Sequence, residues 1–404
     1  MKAIRFLNTY EPVTDFYRDL LPILSSNKVC CEVVVSSAQY RIGRQALHAS
    51  MLGEHARVRR IAAGVAHANN RIKKILVLVS FTFGALVLGL FGSQVSLNFF
   101  LTQPPLFAVT GRLFRRLRGQ RYCCLVMDMY PQVLEANGIL HSDNFMYRCF
   151  QRMTRSALRG ADVVFVIGRC MRERLMAEQV DADRIIVVHN WANEQRIYPV
   201  PRSENPLSQK FGITDEFVVL YSGNMGIAHS FDTILTVARQ LKSRLDIRFI
   251  FMGEGVRRAD VLHEVESSGL TNVMVGDLQP ESLLAFSQSL GDVHFVCLKK
   301  EFTGLVVPSK AYSTLAAGRA IIYEGSQTGE IALMISEENI GSVIHPGDVG
   351  ALEHAIVSLA DDRADCKAKG QRARDLALGK YGRDAAVNRY VDALSGIVAS
   401  MTIE

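Results

Sequence analysis

The chain alternates short β-branched runs with helix-like stretches, and this alternation occurs twice. Six runs in the first part read as strands: MKAIRFLN, CCEVVVSS, VSLNFFLTQ, RYCCLVM, VVFVIG and RIIVVHN. Six more follow in the second part: FVVLYSG, IRFIFMG, NVMVG, VHFVCL, RAIIY and SVIH. Strands that alternate with helices predict βαβ units and parallel sheets. The expected fold class is therefore α/β, with two doubly wound, Rossmann-like domains that face a central cleft.

A polar segment separates the two halves. Residues 194–212 read EQRIYPVPRSENPLSQKFG and contain three prolines, which is typical of a domain boundary. We predict an N-terminal domain over 1–200, a C-terminal domain over 201–380, and a last helix within 381–404 that packs back across the boundary. Ligands of such sheets bind beyond the carboxyl ends of the strands, so the cleft is the expected site.

Charge is distributed unevenly along the chain. Residues 1–160 contain 21 Lys and Arg against 8 Asp and Glu, whereas the remaining residues contain 25 and 32. The first half therefore carries +13 and the second −7, within a total of +6. A basic half indicates an anionic partner, either nucleic acid or a phospholipid surface.

An uncharged run favours the lipid surface. The 37 residues 75–111 carry no formal charge and begin ILVLVSFTFGALVLGLFG. Three arrangements are open for the helix predicted over 75–92: it lies on the membrane, is buried in the domain, or spans the bilayer. A span would separate the following strand from its own sheet, so it is the least expected of the three. We expect the first, a helix that lies on or dips into the membrane. The residues predicted to contact the membrane are Arg71, Lys73, Lys74, Leu86, Leu90, Phe91, Arg112, Arg115, Arg116 and Arg118.

The eight cysteines show no CxxC pair and no Cys/His cluster at zinc spacing. They are interpreted as reduced packing residues of a cytosolic protein without a structural metal. The N-terminal MKAIRFLNTYEP lacks the long apolar core of a signal peptide.

Glycine-bearing turns follow consecutive strands of the second half. In SGNMG, Gly223 and Gly226 allow close approach of the backbone, whose N–H groups can hold a diphosphate. The turn FMGEG repeats this shape with Gly253, Glu254 and Gly255. The dinucleotide fingerprint GxGxxG is absent. Each turn alone could be an ordinary strand-to-helix connection, and His229 alone could be a cap or a core residue.

Two further strand ends complete this rim. Asp277, Leu278 and Gln279 follow NVMVG, and their main-chain groups could bind a base edge. TGLVVPSK follows VHFVCL and opens the helix PSKAYSTLAAG, whose first-turn N–H groups and dipole would favour an anion. The residues of interest in this turn and helix are Thr303, Gly304, Ser309, Lys310 and Ser313.

One carboxylate stands out in the first half. Asp128 directly follows the apolar strand RYCCLVM, where it could accept a proton or position a hydroxyl group. The alternative is that Asp128 caps the next helix.

Together these motifs resemble a bacterial glycosyltransferase of the GT-B fold, in the large retaining family 4. The closest resemblance is to the branch that builds O-antigen, capsule and other surface polysaccharides. The resemblance covers nearly the whole chain and is strongest in RIIVVHNWAN, YSGNMGIAHSFDTIL, FMGEGVRR and VVPSKAYSTLAAGRAII. DMYP is similar to the acidic DLxP loop of that branch.

The resemblance implies the transfer of a sugar from a nucleotide diphosphate sugar to a hydroxyl group, without a required metal or cofactor. Gly223, Asn224 and Gly226 would line the diphosphate and sugar, with Lys310 neutralising the leaving diphosphate. Residues 277–279 would border the base and Glu330 would contact ribose or sugar hydroxyls. Asp128 would face the acceptor.

The chain departs from the family pattern at one place. Many members carry two glutamates with seven residues between them, and the matching positions here are Leu305 and Ser313. The usual ribose contact is therefore missing, and Glu330 or Ser313 is the conjectured replacement.

We expect a hexosyl- or N-acetylhexosaminyltransferase that uses a UDP-sugar and extends a saccharide linked to polyprenyl diphosphate. The enzyme would lie peripherally on the cytoplasmic face of the plasma membrane, with no nucleic-acid partner. Two alternatives stay open: a non-catalytic membrane scaffold that has lost the glutamate pair, and a nucleotide-sugar epimerase on the same fold.

Overall fold

The computed structural model describes residues 3–8, 15–36, 54–61, 71–102, 104 and 106–399. The chain divides into two compact units. The first comprises Met1–Val188 with Val387–Glu404, and the second comprises His189–Ala386. The division falls at residue 188, whereas the proline-rich segment indicated 200.

The first unit is built on a seven-stranded sheet in which every strand pair is parallel. The strand order is β3-β2-β1-β4-β5-β6-β7. Its strands are β1 Ala3–Asn8, β2 Cys30–Ser36, β3 Ala56–Ile61, β4 Leu97–Leu101, β5 Arg121–Val126, β6 Val163–Val166 and β7 Ile185–Val187. The helices between them are α1 Asp15–Ser26, α2 Arg71–Phe91, α3 Phe107–Arg118, α4 Gln132–Ala136, α5 Phe145–Gly160 and α6 Arg169–Ala177.

The second unit repeats this design with six parallel strands in the order β10-β9-β8-β11-β12-β13. Its strands are β8 Phe217–Ser222, β9 Ile247–Met252, β10 Val273–Gly276, β11 Val293–Cys297, β12 Ala320–Glu324 and β13 Gly341–Ile344. Its helices are α7 Pro206–Lys210, α8 Asp232–Gln240, α9 Arg258–Ser267, α10 Leu284–Ser289, α11 Lys310–Ala316, α12 Glu330–Glu338, α13 Val349–Asp361 and α14 Arg363–Leu378. The last helix is α15 Arg383–Ala399.

Strand β4 shows how the first core is assembled. Successive side chains of a strand point to opposite faces, so Phe99 and Phe100 enter different layers. Phe99 packs against Phe6 and Phe165, with ring centroids 5.0 and 5.9 Å away. Phe100 packs against Phe107 of α3 at 5.2 Å. The sheet is therefore covered on both faces, as the doubly wound prediction requires.

The strand β3 was not predicted. Its sequence ARVRRI contains three arginines, and most of its side chains are at least partly exposed. Among the described residues it pairs with β2 alone and lies at the edge of the sheet. An edge strand buries fewer side chains than a central one, so its apolar signal is weak.

In each sheet, the order in which successive strands are added reverses at one point. In the second unit, β8 is central, β9 and β10 lie on one side, and β11 to β13 lie on the other. The loops after β8 and β11 therefore diverge at neighbouring strand ends. This topological switch point is where open α/β sheets bind ligands.

Candidate functional site

The glycine turns after β8 and β9 pack against each other at this switch point. Gly223 and Gly253 have φ of +127° and +156°, values that residues other than glycine rarely adopt. A Cβ on Gly253 would collide with the Gly223 carbonyl oxygen. The Met225 N–H donates to the carbonyl of Glu254 at 2.7 Å, which joins the two turns. Both turns are thus fixed by backbone contacts that only glycine permits.

Lys310, the first residue of α11, reaches across to the β8 turn. Its Nζ donates to the carbonyl oxygen of Asn224 at 3.0 Å and lies 3.1 Å from His229 Nε2. The ammonium group also lies 4.9 Å from the ring centroid of Tyr221. A Cβ on Gly223 would come within 2.8 Å of Lys310 Cε, so this side chain fills the space above the turn. The structure therefore brings together four residues that the sequence singled out: Gly223, Asn224, His229 and Lys310.

The hydrogen bonds of His229 determine its tautomer. Its Nδ1 lies 2.8 Å from the carbonyl oxygen of Cys297, which can only accept. Nδ1 therefore carries the proton, and Nε2 offers its lone pair to the Lys310 ammonium. Burial, followed by the positive charge of Lys310, lowers the pKa of His229 to about 4. The imidazole is neutral at physiological pH and acts as an acceptor for the lysine.

No carboxylate of the described ranges forms an ion pair with Lys310. Its partners are a carbonyl, a neutral imidazole and an aromatic face, and burial lowers the pKa of Lys310 to about 8. Lys310 is only partly exposed, and an ammonium group removed from water without a negative partner is unfavourable. An anionic ligand would supply the missing charge.

The residues predicted to border the base lie after β10. Asp277 is exposed and pairs with Arg258 at 2.9 Å, and Gln279 donates to the carbonyl of Asp277 at 2.8 Å. Leu278 is 42% exposed. Glu254, in the preceding turn, is also exposed. This loop presents a polar, solvent-accessible surface beside the β9 turn.

The turn before α11 is tight, and the helix is short. Gly304 has φ of +72°, and Thr303 forms an isolated β-bridge with Val306. Ser309 precedes a helix of only seven residues, and its side chain makes no capping hydrogen bond. A helix of two turns contributes a small dipole, so Lys310 rather than the helix terminus is the main positive group here.

Leu305 and Ser313 occupy the positions of the missing glutamates. Leu305 is 3% exposed and packs in the core, whereas Ser313 is partly exposed on α11. Glu330 begins α12 and is buried, and its Oε1 lies 3.0 Å from His189 Nε2. Sequence reasoning missed His189, because 141 residues separate it from its partner. Only its position in RIIVVHN, at the end of a strand, could have drawn attention to it.

Asp128 lies in the first unit, after β5, and is partly exposed. The residue at the N-cap position of α4 is Pro131, three residues after Asp128. It lines a small, mainly apolar cavity together with Phe107, Val126 and Met129.

Helix α2 exposes an apolar stripe. Val77, Phe81 and Ala85 are buried against the first unit. The opposite side carries five large apolar side chains at helical spacing, with exposed fractions from 43% to 83%. This stripe, the α2 stripe, comprises Leu76, Val79, Phe83, Val87 and Phe91. Of the three apolar residues predicted to contact the membrane, Phe91 belongs to the stripe, whereas Leu86 and Leu90 are half-buried beside it.

The arginines of α3 mostly have partners within the unit. Arg118 donates to the carbonyls of Gly89 and Gly92, at 3.1 and 2.9 Å, at the end of α2. Arg115 pairs with Asp162 at 3.2 Å, and Arg112 donates to the carbonyl of Ser156. These contacts assign a structural role to Arg118 in particular, whose guanidinium satisfies free carbonyls of a helix end.

Arg116 is exposed. The predicted membrane contacts Arg71, Lys73 and Lys74 lie in the first turn of α2, and their side chains fall outside the described part of the structure. In the portion of the chain that is described, no helix is both long and apolar enough to cross a membrane.

Comparison with known proteins identifies the class. A glycosyl transferase 4-like domain model matches residues 31–191. The probable glycosyltransferase WbjE of Pseudomonas aeruginosa is 30% identical over 75% of each chain. The putative colanic acid biosynthesis glycosyl transferase WcaI of Escherichia coli (strain K12) is 26% identical over 62% of each chain.

Solved structures share the fold. Sucrose-phosphate synthase from Thermosynechococcus elongatus aligns with a TM-score of 0.76 at 16% identity, covering 99% of this chain and all of that one. HepE of Anabaena, solved with UDP and glucose, aligns with a TM-score of 0.72 at 11% identity, covering 98% of this chain and all of that one. Two Rossmann-like units in tandem are the GT-B architecture. The chain belongs to family 4 of the GT-B glycosyltransferases.

Proposed function

We propose that the protein is a retaining, metal-independent glycosyltransferase that moves a hexosyl or N-acetylhexosaminyl group from a UDP-sugar to a lipid-linked saccharide. The product would be an intermediate of a surface polysaccharide. One observation carries this proposal: the Lys310 ammonium is held at the β8 glycine turn among neutral groups, with no carboxylate partner in the described structure. This is the arrangement that a departing diphosphate requires.

Each residue of the switch point then has a chemical role. The turns at Gly223 and Gly253 let the backbone approach the diphosphate, and Lys310 neutralises the charge that grows on it as the sugar bond breaks. Asn224, whose carbonyl oxygen accepts a hydrogen bond from Lys310, would lie beside the transferred sugar. Residues 277–279 would receive the base. The choice of donor is supported by HepE of Anabaena, which has the same fold and was solved with UDP and glucose. The choice of a polysaccharide product is supported by the putative colanic acid biosynthesis glycosyl transferase, which is a relative in sequence.

The acceptor side belongs to the first unit. Asp128 would position the acceptor hydroxyl group, and its carboxylate would accept the proton as the new bond forms. The sugar would transfer with retention of configuration, as the family resemblance implies. Glu330, held by His189, is the carboxylate proposed to contact the donor's hydroxyl groups.

The α2 stripe supports a peripheral position on the cytoplasmic face of the plasma membrane. A helix that buries one side in its domain and exposes large apolar residues on the other resembles an interfacial helix. Contiguous exposed apolar surface is unusual in a monomeric domain and marks an interaction site. The positive charge of residues 1–160 would add attraction to anionic lipids.

The transfer reaction is tested with radiolabelled UDP-sugars and lipid-linked saccharides in detergent or vesicles. The wild type should label the lipid fraction, Lys310→Met should not, and Lys242→Met, which changes an exposed lysine, should behave as the wild type. Conversion of the UDP-sugar without acceptor would instead indicate an epimerase. UDP binding without any turnover would indicate the scaffold.

Membrane binding is tested separately by co-sedimentation with vesicles that contain anionic phospholipid. Val79→Ser with Phe83→Ser should reduce the bound fraction, because both side chains lie in the α2 stripe. Leu245→Ser is the matched control, since Leu245 is 77% exposed but lies in the second unit. Equal sedimentation of all three proteins would refute the role of the stripe. Labelling of soluble acceptors but not of lipid-linked ones would refute the choice of acceptor.

A further inference from the structure

A buried chain of hydrogen bonds connects β11 with the two elements that carry the proposed diphosphate site. His294 of β11 is 3% exposed, and its Nε2 lies 2.8 Å from the carbonyl oxygen of Gln288 in α10. On the other side of the ring, Nδ1 lies 2.8 Å from Oγ1 of Thr314 in α11, a residue with no exposed surface. A single imidazole thus joins two helices through its two nitrogens.

The number of available protons fixes the direction of each bond. Burial lowers the pKa of His294 to about 3, so the ring is neutral and has one N–H. The Gln288 carbonyl can only accept, so the proton lies on Nε2. Nδ1 must then accept, and the only hydrogen on the Thr314 hydroxyl group is donated to it. That hydrogen is therefore not available to the carbonyl of Lys310, which lies 3.0 Å from the same oxygen.

The two ends of the chain lie at the diphosphate site. The side chain of Gln288 donates to Ser222 Oγ at 2.9 Å, directly before the glycine turn at Gly223. Thr314 lies four residues after Lys310, so the two share one face of α11 a single turn apart. His294 therefore connects the β8 turn to the helix from which Lys310 projects.

We propose that Gln288, His294 and Thr314 are positioning residues that fix α11 relative to the β8 turn and thereby hold Lys310 at its place over Gly223. The role of Lys310 in catalysis rests on the proposed function, whereas the positioning of Lys310 by these three residues does not. Both bonds of His294 are buried, so a shift of the helix would leave a polar atom without a partner.

The test replaces Thr314 by valine, which has nearly the same shape but no hydroxyl group, and by serine, which keeps the hydroxyl group. The pKa of Lys310 is measured by NMR on 13C-methylated lysines, with the signal assigned through Lys310→Arg. The wild type and Thr314→Ser should give about 8. Thr314→Val should raise the pKa toward 10.5, the ordinary value, because the displaced ammonium group gains contact with water. A merely structural residue would lower the melting temperature without changing the pKa of Lys310 in the folded protein.

Thr236→Val is the matched control. Thr236 lies in α8 of the same unit, and its hydroxyl group donates to the carbonyl oxygen of Asp232, four residues before it, at 2.8 Å. Its removal should leave the pKa of Lys310 unchanged. A Lys310 pKa in Thr314→Val equal to that of the wild type would overturn the proposal, as would an equal rise in the control.

A second variant covers the case in which Thr314→Val does not fold. His294→Leu combined with Thr314→Val removes both partners of the Thr314–His294 bond, so no Nδ1 is left unsatisfied and only the Gln288 carbonyl oxygen loses its donor. Its Lys310 pKa should also rise, and an unchanged value would overturn the proposal. Calorimetric titration with UDP adds the functional readout: Kd should rise about tenfold in Thr314→Val and recover in Thr314→Ser. If the wild type does not bind UDP, the proposed function fails, whereas the pKa measurement still decides this inference.

Discussion

The protonation of Lys310 should control how tightly the protein binds UDP. Burial lowers its pKa to about 8, and its polar partners in the described structure are neutral. A bound diphosphate would favour the charged form and restore the pKa to 10.5 or above. The free protein is then about nine-tenths charged at pH 7 and about one-tenth charged at pH 9, so Kd should rise about tenfold between these values.

The same linkage predicts proton uptake. At pH 8 about half of the free lysines are neutral, so each UDP that binds should take up about half a proton. Calorimetry in two buffers of different ionisation enthalpy measures this number directly. Neither neighbour titrates in this range, because the pKa of His229 is about 4 and that of the buried Cys297 thiol about 12.

Lys310→Arg keeps its charge at every pH used, so it should show no uptake and a constant Kd from pH 7 to 9. The reasoning is refuted if the wild type has a constant Kd over this range. It is also refuted if the arginine variant shows the same tenfold loss, because the titrating group would then lie elsewhere.

Four further predictions concern single positions. Gly223→Ala should lose UDP binding and be destabilised more than Gly212→Ala. Gly212 also has a positive φ, +61°, but open space surrounds it. Melting curves and UDP titrations compare the two variants. Asp128→Asn should bind UDP normally but transfer sugar at least about a hundredfold more slowly, as measured in the labelled-acceptor assay. Lys310→Met should be up to about 2 kcal/mol more stable than the wild type at pH 7 in urea denaturation. Between pH 8 and 10.5 the unfolded chain binds more protons than the folded one, so the stability of the wild type rises with pH. The difference in stability between the two proteins should therefore shrink over this range. Ser313→Glu should raise the pKa of Lys310, three residues away on one helix face, and weaken the pH dependence of UDP binding, with Ser313→Gln as the neutral control.

The sequence predicted the strands best where they are buried on both sides. Runs such as FVVLYSG and IRFIFMG correspond to β8 and β9 almost residue for residue, since continuous apolar runs are typical of central parallel strands. The edge strand β3 was missed because three of its six residues are arginines. Helix α2 begins at Arg71, before the apolar run, since a helix start depends on its neighbours and not only on hydropathy.

The candidate site was predictable in its list of residues but not in its connections. Gly223 and Lys310 follow from the turn and helix patterns, and Asn224 follows from the family resemblance. The partners His189 and His294 do not, because each is joined to the site by contacts between residues distant in the chain. His294 in particular lies in the run VHFVCL, where only the strand signal is visible.

The missing glutamates and the neutral surroundings of Lys310 are two aspects of one arrangement. A carboxylate at position 313 would lie one helical turn from Lys310 and could neutralise it, but this chain has serine there and buried leucine at 305. Glu330 is buried and bound to His189. The positive charge of Lys310 is therefore left for a ligand. The lowered pKa of Lys310 reflects the free energy of folding that is lost when a charged lysine is removed from water. Because a diphosphate would recover that free energy on binding, the departure from the family pattern should make donor binding depend more strongly on the donor's charge. UDP should accordingly exceed UMP in affinity by a wider margin in the wild type than in Ser313→Glu.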